Sequence, residues 1–254
     1  MAITKAVQEY IDKIHPGGTL GLAATDPEFA ELFANFSLDE VANDEAAKLP
    51  DRERWLAIIA ALLGCQGYDE LGDVLPGALA YGVTPVEIKE VVYQAVAYLG
   101  MGRVLPALRL VNKFLQDQGV ELPLPPQGTT TPETRLAAGN QVQIDFFGEG
   151  MRERWVDDES GHATITRWLA SNCFGDYYTR DGLSGRDREM ITFCFIAAQG
   201  GCKPQLTSHA AGNMNLGNDR DFLYRVVMQI VPYIGYPRSL NALSCVDKAA
   251  AARD

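Results

Sequence analysis

The chain has 254 residues, 47% of them hydrophobic and 22% charged, and a formal net charge of −11. That balance is typical of a globular protein with one large domain or two ordinary ones. An acidic excess of this size argues against nucleic acid and anionic membrane as partners, because both recruit proteins through clustered Lys and Arg.

At the N-terminus, "MAITKAVQEYIDKIHPGG" carries acidic residues and no apolar segment of the kind a secretion signal needs, so the cytoplasm is the expected compartment. The longest apolar run, Trp55 to Cys65 ("WLAIIAALLGC"), is far short of the roughly 20 residues that span a bilayer. It is apolar nearly all round, as is "ITFCFIAAQ" later in the chain, and such helices are fully buried ones. Thr84-Pro85-Val86-Glu87 reads as a capping box with proline at the first helical position. The apolar spacing of "EIKEVVYQAVAYLG" and of "RLAAGNQVQIDFFG" is helical. Between these two lies "GVELPLPPQGTTTPETR", residues 119 to 135, an extended linker after which Thr131-Pro132-Glu133 starts a helix. Strand signals are weak throughout, so the expected class is all-α.

An internal repeat organises these elements. Residues 91 to 113, "VVYQAVAYLGMGRVLPALRLVNK", align without a gap to residues 226 to 248, "VVMQIVPYIGYPRSLNALSCVDK". Gln94/Gln229, Tyr98/Tyr233, Gly100/Gly235 and Arg103/Arg238 are among the identities, and the same offset sets Thr84 against Asp219. "RERWLAIIAALLG" from Arg52 matches the segment from Arg186 once one residue is inserted after it. The expected architecture is two tandem helical domains, 1–125 and 126–254, related by a pseudo-two-fold.

The chemistry concentrates in "GGCKPQLTSHAAGN", residues 200 to 213. Gly200-Gly201 breaks the helix that begins near Ser184, and Pro204 is tolerated in the first turn of the next, so Cys202 sits at a helix N-terminus where the dipole favours a thiolate. His209 follows two turns along the same face, and Glu189 approaches that face if the two helices pack antiparallel. Spacing alone equally fits a core cysteine, a hydrogen-bonded structural histidine and a dipole-complementing acid, with Arg186 and Arg188 on a solvated face. The five cysteines are scattered and contain no CxxC pair, so reduced thiols are expected, with no metal and no cofactor.

The run "FGDYYTRDGLSGRDREMITFCFIAAQGGCKPQLTSHAAGNMNLGN", with the later Tyr-x-Gly-x-x-Arg-x-x-x-Ala-Leu, resembles the carboxymuconolactone decarboxylase family, whose relatives include the AhpD-type alkylhydroperoxidases. The resemblance covers roughly 30 to 115 and 138 to 250. It implies a ring-forming helical fold and a homo-oligomer, most simply a trimer of tandem chains. It also implies that Glu189, Cys202 and His209 match the Glu, first Cys and His of the peroxidase relay, while Gln205 stands where the second Cys, or the Glu of decarboxylases, would be. In the first repeat Trp55 replaces the Glu, Val74 replaces the His and only Glu70 fits a carboxylate position, so that site is expected to be degenerate. The functions implied are acid–base chemistry on a small unsaturated lactone or carboxylate, thiol peroxidation through Cys202, or a non-catalytic oligomeric scaffold or ligand-binding protein.

Overall fold

The computed structural model describes residues 2–156 and 158–253, and every regular element among them is helical. Among the described residues, no helix is long and apolar enough to cross a membrane. Each repeat runs through the same four helices in the same order. These are Asp51–Cys65, Tyr68–Ala80, Pro85–Leu99 and Met101–Asp117 in the first, then Gly185–Gln199, Lys203–Asn215, Arg220–Ile234 and Tyr236–Ala251 in the second. Local chemistry sets the starts. Thr84 and Glu87 exchange the two bonds of a capping box, as do Ser184 and Asp187, and Asp219 accepts from the Phe222 N–H. The helix expected from Thr131 begins at Arg135, after a turn in which Thr131 and Thr134 bond each other.

Two further helices precede each set of four. In the first half these are Lys5–Ile14 and Pro27–Ala34, the latter continuing through the wider π-turns of Asn35–Glu40. In the second they are Arg135–Phe147 and Ala163–Trp168, continuing through Leu169–Tyr178. The second pair packs backbone against backbone. A Cβ on Gly139 would lie 2.0 Å from the Ala170 carbonyl oxygen, and one on Gly175 would lie 2.1 Å from that of Arg135, so only glycine fits at the crossing. The linker is tied down alongside: Thr130 donates to the Gly175 carbonyl and Thr129 to that of Thr179.

The halves interlock. Asp51–Cys65 crosses Gly185–Gln199 at the centre, and each packs on the third helix of the other repeat. The pseudo-two-fold is written in reciprocal contacts: Arg54 donates to Gln229 at 2.8 Å and Arg188 donates to Gln94 at 2.9 Å. Both glutamines belong to the repeated segment. Arg188 is buried, not part of a solvated face. It also reaches Glu90 and the carbonyls of Arg180 and Asp181, while Arg186 bonds Asn218.

The all-round apolar helices are covered within one chain, because each repeat supplies the face the other lacks. Their apolarity is therefore no argument for a partner subunit. Residues 1–125 expressed alone are expected to lose this cover and to aggregate or remain loosely packed, as read by near-ultraviolet circular dichroism and light scattering.

Candidate active site

Glu189 lies in the second turn of Gly185–Gln199, wholly buried, and both carboxylate oxygens have partners. The Tyr178 hydroxyl donates to one at 2.9 Å, and His209 Nδ1 lies 2.9 Å from the other. The Gly200-Gly201 reversal, both residues at φ +75°, folds Lys203–Asn215 back so that His209 faces Glu189 across the helix pair. Asn213 fixes the register by donating to the backbone carbonyls of Glu189 and His209, and Asn218 donates to the Asn213 side chain.

An ionised Glu189 only accepts, so Nδ1 carries the shared proton and Nε2 is the nitrogen left to exchange a proton with solvent or substrate. The His209 side chain is 12% exposed, so the buried carboxylate is linked to solvent through the ring. The imidazole sits edge-on to Tyr98 and Phe147, at centroid distances of 5.5 and 5.6 Å.

The network extends into the first repeat. The Tyr98 hydroxyl lies 2.7 Å from that of Tyr178, which also bonds Thr192 at 2.7 Å. Burial pushes both phenols well above the usual tyrosine range, and the Glu189 charge adds to the effect, so both stay protonated. Cys173 donates its S–H to Tyr98, and burial pushes its thiol up to about 12. No local pattern in the sequence marks Tyr98, Tyr178, Thr192 or Gly212 as site residues, and for Tyr98 the signal is its identity with Tyr233 in the repeat.

Gly212 leaves room for the carboxylate and the Phe147 ring. A Cβ there would meet Glu189 Oε2 at 2.8 Å and the Phe147 ring at 2.6 Å. Gly212→Ala is expected to displace the carboxylate and break its bond to His209, seen as a changed 15N shift of the imidazole Nδ1.

The other two predicted residues sit apart from this network. Cys202 is the residue preceding Lys203–Asn215, and its sulfur accepts from the Gln199 amide at 3.3 Å. Among the described residues, no hydrogen bond joins it to His209 or Glu189. Gln205 is exposed, one turn before His209. Cys194 is fully buried and its thiol is pushed up strongly by desolvation, which leaves it unsuited to resolve an oxidised Cys202.

The sequence model of the carboxymuconolactone decarboxylase family matches the chain twice, over residues 27–113 and 163–248. A comparison with curated proteins finds no match.

Proposed function

Because the chain belongs to the carboxymuconolactone decarboxylase family, we propose that its second repeat performs acid–base catalysis on a small unsaturated lactone or related carboxylate. The observation behind this reading is the buried Glu189 held between Tyr178 and His209, a carboxylate that orients an imidazole and stabilises its charged form. In decarboxylation the bond from ring carbon to carboxylate breaks, its electron pair enters a dienolate, and CO2 leaves. The imidazolium Nε2–H then protonates the carbon, and His209 recovers a proton from solvent through its exposed edge. Gln205, on the solvent side one turn away, is a neutral donor for the dienolate oxygen.

Cys202 has no part in this scheme. A dithiol cycle would need a second thiol within disulfide reach, and the cysteine that shares its helix pair, Cys194, is buried and protonated. The test follows loss of a carboxylated unsaturated lactone by absorbance and CO2 release. His209→Gln should abolish it, and Cys202→Ser should not. Peroxide consumption that requires Cys202, with no lactone turnover, would favour the thiol reading instead.

We take the division into domains near residue 125, a cytoplasmic location and assembly into a homo-oligomer as parts of the same proposal. Met101 and Tyr236 occupy equivalent positions in the two repeats and both are at least half exposed, as is Leu240. Such a repeated apolar patch suits a ring of tandem chains. Light scattering should give the mass of three chains.

A further inference from the structure

We propose that the first repeat holds a second binding site, for a small organic amine with an apolar or aromatic body. This goes beyond the reading of the Glu189–His209 site and does not depend on it.

The first repeat carries a cavity of about 440 Å³ between Lys5–Ile14, the helix from Pro27 and Tyr68–Ala80. That lies within the roughly 300–1,000 Å³ range of small-molecule sites. It sits at the pseudo-symmetric counterpart of the second-repeat site. Trp55 stands for Glu189, Val74 for His209, and Tyr233 reaches across from the second repeat as Tyr98 does from the first. Replacing the acid and imidazole by Trp and Val removes the Glu–His relay, and the space beside them lies between the helices from Lys5, Pro27 and Tyr68.

The lining's charge selects the ligand. Glu70 and Asp73 face the cavity from one side of Tyr68–Ala80, three residues apart, and neither has a hydrogen-bond or ion-pair partner among the described residues. Among the described residues, no Lys or Arg lines the space and His15 is its one basic residue. The Arg54 guanidinium, 4.8 Å from the Trp55 ring, is committed to Gln229 and to the Ser37 carbonyl. Glu70 is pushed up by burial and then by the Asp73 charge, a cost that a bound cation would relieve. Tyr10, Phe33, Trp55 and Tyr233 supply aromatic walls whose faces attract cations, and exposed Phe29 gives the mouth an apolar rim. An anion would meet two unpaired carboxylates on a chain of net charge −11.

Titration calorimetry on the full chain with three probes of one shape tests this: 2-phenylethylamine, the neutral 2-phenylethanol and the anionic 3-phenylpropionate. The amine should bind saturably, one per chain, with the alcohol at least tenfold weaker and the acid undetectable. Glu70→Gln should weaken the amine at least tenfold and leave the alcohol unchanged. His209→Gln should leave the amine's affinity intact, which separates this site from the second-repeat one. Val74→Phe, if its circular dichroism is native, should abolish binding by filling the cavity. The proposal is overturned if the amine does not saturate, if the three probes bind alike, or if Glu70→Gln leaves the amine's affinity unchanged.

Discussion

Glu189→Gln is expected to lower turnover of a carboxylated lactone by about 10²–10³-fold, and His209→Gln by at least as much, in the range usual for removing a positioned acid or base. Glutamine keeps the volume of the side chain but loses the charge that stabilises an imidazolium. Its amide can also present N–H to Nδ1, which would turn the ring to the wrong tautomer. Tyr178→Phe removes one of the two bonds to the carboxylate and should cost about tenfold, consistent with the net worth of roughly 1.5 kcal/mol for a hydrogen bond to a charged group. Cys202→Ser should stay within twofold of wild type. These variants conserve shape, so thermal melts should show native folds, and loss of activity in Cys202→Ser with full activity in Glu189→Gln would reverse the assignment.

Much of this arrangement is legible before any coordinates. The repeated segment carries Gln94 and Gln229 at equivalent positions, and the structure gives both the same task, the reciprocal bonds to Arg188 and Arg54. Glu189 and His209 lie 20 residues apart on helices joined by a Gly-Gly reversal, so their juxtaposition follows from local rules. Other features are decided by contacts too distant to leave a pattern. Arg188 looks like part of a charged surface because its partner Glu90 lies 98 residues away. Tyr98 and Tyr178 are separated by 80 residues and meet only because the repeats interlock. The direction of the Cys202 sulfur is hard to read in sequence for a local reason. It precedes the helix rather than lying on it, so the two-turn spacing to His209 does not fix where its sulfur points. The first-repeat cavity is invisible in sequence because substitution to Trp55 and Val74 reads as loss of a site, whereas the space beside those residues depends on how the helices from Lys5 and Pro27 close over them.

Glu90→Gln is expected to be the most destabilising conservative change in the protein, by about 3–5 kcal/mol, as for breaking a buried ion pair by removing one partner. Glu90 and Arg188 are each 1% exposed, and the carboxylate also takes a two-pronged contact from Arg180 at 2.8 and 2.9 Å. Burial draws the Arg188 guanidinium below its ordinary range, and the Glu90 charge is what opposes that cost. Without it, two guanidiniums face each other around a neutral amide, one of them with no access to water. At roughly 2–4 °C per kcal/mol for a chain of this size, the melting temperature should fall by on the order of 10 °C. The exposed pair Lys5–Glu9 is the control: Lys5→Ala should change stability by less than about 1 kcal/mol. The loss should also reach the active site. Arg188 holds the carbonyls of Arg180 and Asp181, which anchor the segment between Tyr178 and the Ser184 cap. Glu90→Gln should therefore weaken the Tyr178 bond to Glu189 and reduce turnover even well below the melting temperature. A variant that melts with wild type would show that Arg180 and the carbonyls alone can hold Arg188 in the interior.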